Sequence, residues 1–294
     1  MTDRTTSHPS LAFGTGAIAS LLFLLTVAAR ADDLKTVTGL ASPESAVIGA
    51  DGRVYVSEIG EFGKDGDGKV AVIGRDGKAM PFASGMDDPK GLAAIGNTIY
   101  AADKNRIWKI DARGKASVFV KADDFPQPLL FLNDLAVDRK GNLFVSDSGD
   151  LEKGGKGAIF KVTPAGKVSM VVSEAKNPAI KSPNGLLFEA SGKLLVLDFA
   201  SGELMRLDVD KRTTEKIADG FGGGDGLAHD ARGMLYVSDW KNGRVWKLDM
   251  TRRDAKPELY AHTFQSAADI ALSKDGKFIL VPDMKAGALV WLPK

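Results

Sequence analysis

The chain of 294 residues contains no cysteine. That single absence excludes disulfide bridges, thiol nucleophiles, thiolate-held metals and iron–sulfur clusters. Histidine is almost as scarce, with three in the whole chain, and no G-x-S-x-G elbow occurs. A serine-hydrolase triad therefore lacks its parts. An excess of charge of either sign is missing as well, since 39 Lys and Arg stand against 38 Asp and Glu. Nucleic-acid and anionic-membrane surfaces need concentrated positive charge, so this balance argues against both. Beyond residue 31 there is no helical period of note, no linker and no low-complexity run.

The first 31 residues read as an export signal, with Arg4 as the positive start, Leu11 to Ala28 as the apolar run and Ala29-Arg30-Ala31 as an A-x-A cleavage site. A transmembrane anchor is the competing reading for a stretch of this length. Gly14, Thr15, Gly16, Ser20 and Thr26 dilute it, and the small-residue site follows at once. The run Gly14-Thr15-Gly16-Ala17-Ile18-Ala19 imitates a dinucleotide fingerprint, but no strand precedes it. Cleavage after Ala31 predicts a periplasmic or secreted protein without stable membrane insertion. Residues 32–294 remain as one domain in which acids and bases balance.

Within that domain one unit recurs at intervals of roughly 40 to 50 residues, the signature of a repeat architecture. Asn133-Asp134-Leu135-Ala136, a turn at Gly141 and Leu143-Phe144-Val145-Ser146-Asp147 match Asp225-Gly226-Leu227-Ala228, a turn at Gly233 and Leu235-Tyr236-Val237-Ser238-Asp239. A short apolar strand, a polar Gly turn and a β-branched or aromatic strand make a hairpin. Equivalent hairpins begin at Glu44, Lys90, Asn133, Asn184, Asp225 and Ala268, each with room for two more strands. The expected fold is all-β, a six-bladed β-propeller with four-stranded blades. The last unit runs out at Trp291 to Lys294, while a spare strand, Leu34 to Leu40, precedes the first. Pairing the two ends closes the ring and removes open sheet edges.

Repetition also separates architecture from site. The second strand ends in an acid in every unit, at Glu58, Asp103, Asp147, Asp198, Asp239 and Asp283. Such a constant position is read as a cap accepting backbone N–H bonds. The slot that opens each first strand instead varies through Glu44, Lys90, Asn133, Asn184, Asp225 and Ala268. In a propeller these starts converge on the mouth of the central channel, and four of the six offer oxygen. Two carboxylates facing across a channel are driven toward protonation unless a cation lies between them. A hard divalent ion held by Glu44, Asn184 and Asp225 resolves the conflict, with Asn133 close by. All-oxygen ligands favour calcium, magnesium or manganese over zinc, with calcium the first expectation and zinc the last. The competing reading is that Lys90, and no metal, neutralises the acids.

At these residues the sequence resembles the senescence marker protein, gluconolactonase and luciferin-regenerating enzyme family. Ser42-Pro43-Glu44-Ser45, Leu132-Asn133-Asp134, Ser182-Pro183-Asn184-Gly185-Leu186 and Gly224-Asp225-Gly226-Leu227 carry the resemblance, which spans residues 33–294. It implies a six-bladed propeller with one axial divalent metal held by Glu44, Asn184 and Asp225. It further implies that Asp225 is the general base and Asn133 the substrate-facing Asn. Where many lactonases of the family carry an Arg two residues before that Asn, this chain has Phe131. An aromatic ring cannot donate the same bonds to sugar hydroxyls, which points away from gluconolactone; a less polar lactone or ester, or no turnover at all, are both compatible with it.

The expected activity is metal-dependent lactone hydrolysis on a small-molecule substrate by a monomer, and a non-catalytic propeller that binds a small molecule or protein remains the alternative. Lys90, Phe131 and Trp240 join Asn133 as expected substrate-side residues. The loops around Asp65-Gly66-Asp67-Gly68 and Ser148 to Gly157 should rise at the same mouth, and the glycines at 220–224 should let the chain turn tightly beside Asp225. His229, within an inner strand, reads as a packed structural residue, and His262 as a surface one.

Overall fold

The computed structural model describes Met1, Thr2 and residues 34–294. The export segment expected over residues 1–31 thus lies, from residue 3 onward, outside the described residues.

Why the strands form is plain from their composition. Leu194–Asp198 reads LLVLD and Phe278–Asp283 reads FILVPD, runs of residues whose side chains suit a pleated surface. Six antiparallel sheets of four strands result. The innermost strands are Pro43–Ile48, Pro89–Ile95, Leu132–Val137, Pro183–Phe188, Gly224–His229 and, much shorter, Ala271–Leu272. A single 3-10 turn, Ala122–Asp124, is the one helical element among the described residues.

Each blade is sandwiched between two others, so both faces of its inner and second strands are covered. Leu143–Asp147 is buried at every position, which erases the alternation of a half-exposed strand. The outermost strands are partly exposed, as in Thr213–Ala218, where Thr213, Glu215 and Lys216 face solvent. The apolar core is accordingly divided into six clusters, one at each blade-to-blade interface. Between the third and fourth blades, for example, Phe144 and Ile159 pack on Leu186 and Met205. The ring is closed by Thr36–Thr38, which pairs antiparallel with Ala288–Pro293 in the register Thr36 to Val290 and Thr38 to Ala288. The expected donation of an outer strand by the N-terminal segment is what the sheet order contains.

The constant acid at the end of each second strand has a specific job. Asp147 accepts the N–H groups of Leu130 and Phe131 at 3.1 and 2.7 Å. Asp103 holds those of Asp87 and Asp88, Asp198 those of Lys181 and Ser182, and Asp283 those of Gln265 and Ser266. Asp239 takes Gly223 N–H and Glu58 takes Ala41 N–H. In all six blades the carboxylate therefore pins one or two of the residues that lead into the inner strand. These N–H groups precede the ladder and would otherwise lack partners.

Replacing one clamp should be costly. Asp147→Ala removes a buried acceptor from three N–H groups, Gly149 included, and is expected to destabilise the fold by about 3 kcal/mol. The exposed Arg75→Ala should stay within about 0.5 kcal/mol. Urea unfolding of both variants checks this, and equal midpoints would remove the clamp from the account.

Candidate metal centre at the channel mouth

The inner strands do not run in perfect register with their neighbours. All five full-length ones slip at the same place, between Pro43 and Ala46, Pro89 and Leu92, Leu132 and Leu135, Pro183 and Leu186, and Gly224 and Leu227. A bulge of this kind bends the strand and re-aims a side chain. The residues inside the five bulges are Glu44, Lys90, Asn133, Asn184 and Asp225, each with its successor. Serine hydroxyls one residue before the clamp acid support three of the bulges, Ser57 taking Ser45 N–H, Ser146 taking Asp134 N–H and Ser238 taking Gly226 N–H.

The five residues come together. They line one cavity of about 510 Å³ with Phe131 and Trp240 among its walls. Ala268, the sixth slot, is fully buried and takes no part. The loops after the second strands of the first and third blades do rise here, contributing Phe62, Asp150 and Leu151. Beside Asp225, Gly222 turns with a φ of 61°, and a Cβ there would lie 2.5 Å from the Asp239 carboxylate. The residues after the slots form the floor. A Cβ on Gly185 would meet Asp225 O at 2.3 Å, and one on Gly226 would meet Asp269 Oδ1 at 2.4 Å. Those approaches leave the axis to Ser45, Asp134 and Asp269, with Ser45 Oγ donating to Asp269 Oδ2 and Leu186 N–H to Asp134 Oδ2.

Oxygen atoms at the base of the cavity lack donors. Among the described residues, five buried side-chain polar atoms have no hydrogen-bond partner, and three are Glu44 Oε2, Asn133 Oδ1 and Asp225 Oδ1. The orientation of Asn133 follows from its neighbours. Ser148 Oγ donates to Pro183 O at 2.8 Å, so it must accept from Asn133 Nδ2 at 3.0 Å, which turns Asn133 Oδ1 toward the cavity. Unsatisfied buried acceptors cost about 1–3 kcal/mol each, more if charged. Three of them at one cavity fit a cation, and an all-oxygen donor set suits a hard one. Among the described residues no group of three or more His, Asp or Glu is arranged to hold a metal. The donors here are two carboxylates and two carboxamides.

The electrostatics carry the same signature. Burial first, then the charges of Asp225 and Asp269, push the Glu44 carboxyl well above its ordinary value, with Lys90 opposing. Burial, then Asp269, Asp134 and Asp239, does the same to Asp225. Asp134 is raised by burial and by Asp269, and Asp269 is itself pushed by burial up to about 7. Lys90 does turn into the channel, donating from Nζ to Asp88 O at 3.0 Å and lying 4.6 Å from the Phe131 ring centre. Burial lowers its pKa, while Glu44 and Asp88 oppose that shift. Lys90 lowers the Glu44 value and burial, with Asp225 and Asp269, keeps it raised.

Several residues of the site escaped sequence reasoning. The position after each clamp acid holds Ile59, Lys104, Ser148, Phe199, Trp240 and Met284. In five blades its N–H bonds the carbonyl two residues before the slot, as Ser148 does to Phe131 O at 2.8 Å and Phe199 to Ser182 O at 2.9 Å. Ile59, Phe199 and Met284 accordingly line the cavity beside Trp240, which was expected there. Comparing the six units at that position, as at the slot, would have found them. His229 is a correction: it is exposed at the far end of its inner strand, where the strand leaves the core. His262 is exposed as expected.

A closed ring of six blades with a pocket at one mouth of its axis, oxygen-lined at the base, defines the class of this molecule. A family model described as the SMP-30/Gluconolactonase/LRE-like region matches residues 86–258, and the chain belongs to that family. The match contains Asn133, Asn184 and Asp225 but stops short of Glu44. Among solved structures, the gluconolactonase of Xanthomonas campestris is similar at 17% identity and a TM-score of 0.68, covering 87% of this chain and 88% of that one. The virginiamycin B lyase of Staphylococcus aureus is similar at 17% identity and 0.61, covering 86% and 81%. A chain of a nidogen–laminin complex is similar at 19% identity and 0.63, covering 78% and 84%. These likenesses are to the fold. No curated protein matches the sequence.

Raised carboxyl pKa values make the metal-free fold sensitive to pH in a defined direction. The native state binds protons that the unfolded chain, with carboxyls near 4, releases. Their stabilisation is present in full below about pH 4 and is lost as pH rises toward about 7, the Asp269 value. In chelator, the melting temperature is expected to fall between pH 5 and pH 8, and saturating calcium should flatten that fall. A melting temperature that climbs over this interval in chelator would show these carboxyls ionising without penalty.

Proposed function

We propose that the protein is a metal-dependent lactone hydrolase, exported as its N-terminal pattern suggests. The observation that carries the proposal is the trio of donorless oxygens, Glu44 Oε2, Asn133 Oδ1 and Asp225 Oδ1, at the base of one cavity. Family membership supplies the reaction class. Glu44, Asn184 and Asp225 would hold a divalent ion, calcium first, with Asn133 beside it. When bound, such an ion supplies Lewis acidity toward an ester carbonyl and the positive charge that keeps the two carboxylates ionised.

The chain's own groups divide the remaining work. Asp225, ionised, accepts the proton of the attacking water at a carboxylate oxygen and later returns it to the leaving alkoxide, worth about 10²–10⁴ in rate. Asn133 orients that water or the substrate through Oδ1, which the Nδ2 bond to Ser148 turns toward the cavity. Ser148 thereby acts as a positioning residue, tying the third blade to the carbonyl that precedes Asn184. Lys90 and Phe131, in contact with one another, and Trp240 across the cavity form the substrate-side wall. The bulges hold Lys90, Asn133 and Asp225 in place before substrate arrives, so little ordering of these groups remains to be done at the reaction step.

The test uses the chain beyond residue 31, stripped with chelator and assayed on a panel of sugar and non-sugar lactones with calcium, magnesium, manganese or zinc restored. Hydrolysis should require the ion, and Asp225→Asn should lower kcat by at least about 100-fold. Calorimetry should find one ion per chain, bound more weakly by Glu44→Gln. Undiminished activity in chelator, or a wild-type rate in Asp225→Asn, would refute the proposal. An ion bound with no turnover across the panel would mark a binding protein instead.

A further inference from the structure

The walls above that polar floor are of the opposite character. At the position after the clamp acid, four of the six blades present Ile59, Phe199, Trp240 and Met284 to the cavity. Loops add an aromatic and aliphatic rim. Phe62 and Phe131 stack with ring centres 6.1 Å apart and planes at 19°. Phe62, Leu130 and Leu151 are 59%, 49% and 43% exposed, and they are three of the seven large apolar side chains that the described residues leave exposed. All three line this one cavity. Exposed apolar side chains gathered at one mouth mark a binding surface.

The polar groups near the rim are mostly engaged. Asp150 Oδ1 accepts the N–H groups of Glu152 and Lys153 from its own loop. Lys90 Nζ donates to Asp88 O and lies over both Phe131 and Phe62. Trp240 Nε1 points at Met284 Sδ, 3.1 Å away. A polyhydroxylated lactone bound here would give up water at each hydroxyl and find few partners, at about 1–3 kcal/mol per unmatched group. A hydrocarbon body would exchange water for rings and aliphatic side chains, which is favourable for each methylene covered. Carboxylates at the rim, Asp150 and Glu152, disfavour a negatively charged one.

We infer that the substrate is a lactone with an uncharged alkyl or aryl body, its ester toward Glu44, Asn133 and Asp225 and its hydrocarbon toward the aromatic wall. The inference rests on the hydrolase reading for the reaction and on the wall for the class. Phe131 is then a specificity-determining residue, pinned by the bond from its N–H to Asp147 and exposing a ring where sugar recognition would need a donor.

The experiment measures kcat/KM over a homologous series of δ-lactones with alkyl chains of increasing length, beside glucono-δ-lactone, with calcium present. The expected result is a rise of roughly two- to fourfold per methylene over the first several carbons, with gluconolactone slowest. Phe62→Ser combined with Leu151→Ser, both on the exposed rim, should flatten that dependence with an unchanged melting temperature. Trp240→Ala should lower the rate on long-chain substrates most. A second arm measures affinity for alkyl lactams, which resist hydrolysis, by quenching of tryptophan fluorescence with Trp240→Phe as the control. Gluconolactone turned over as fast as the alkyl series, or lactam affinity independent of chain length, would overturn the inference and leave the hydrolase standing. Lactam affinity that rises with chain length, with no lactone hydrolysed, would uphold the apolar ligand class and overturn the hydrolase.

Discussion

The carboxylate that closes each second strand and grips the backbone leading into the inner strand is the contact on which this molecule depends. Six copies of it, from Glu58 to Asp283, set where six strands begin around one axis. The bulge that follows each grip in the five full-length strands turns one side chain toward the axis. A buried acid with several backbone donors, as at Asp147, is stable without a counter-ion, because the N–H dipoles do the work of a cation, whereas Glu58, with one such donor, has Lys69 beside it. That is why these acids recur in every blade and yet contribute nothing directly to the cavity.

The acids inside the cavity are in the opposite condition. Glu44 and Asp225 are as buried as the clamps, but each has an oxygen without a donor, and their charges add to those of Asp134 and Asp269 below. One class of carboxylate is satisfied by its own backbone and builds the ring. The other is left short of positive charge at one mouth of the ring. Such a deficit is costly to the folded state, and it is what a bound cation would relieve. Above it the walls turn apolar, so polarity is graded along the axis from floor to rim.

How much of this was legible without coordinates depends on which residues repeat. Glu44, Asn133, Asn184 and Asp225 stood out because they differ at a slot that six hairpins share, and their place in one cavity follows from propeller geometry. The same comparison one residue beyond the clamp acid exposes Ile59, Phe199 and Met284 beside the expected Trp240, a signal present in the chain and easily passed over. Ser148 is different. Its role rests on bonds to Asn133 and Pro183, two blades meeting at one hydroxyl, and nothing in its neighbourhood along the chain announces that. His229 was misjudged because the inner strand's pattern suggests burial to its end, whereas the strand emerges from the core there. The sixth inner strand, expected to begin at Ala268, is regular only at Ala271–Leu272, since Asp269 is drawn into a parallel bridge with Ser45 of the first blade.

The amino-acid order alone determined the blade count, the strands, the closure by the N-terminal segment and the oxygen-rich slot, because each of these is a local pattern repeated at a regular spacing. Tertiary structure decided the rest. Which oxygens lack donors, which acids repel and how an apolar wall assembles from four blades and three loops are properties of groups far apart along the chain. They acquire an energy only when the ring brings them within a few ångströms of one another in a space that water leaves.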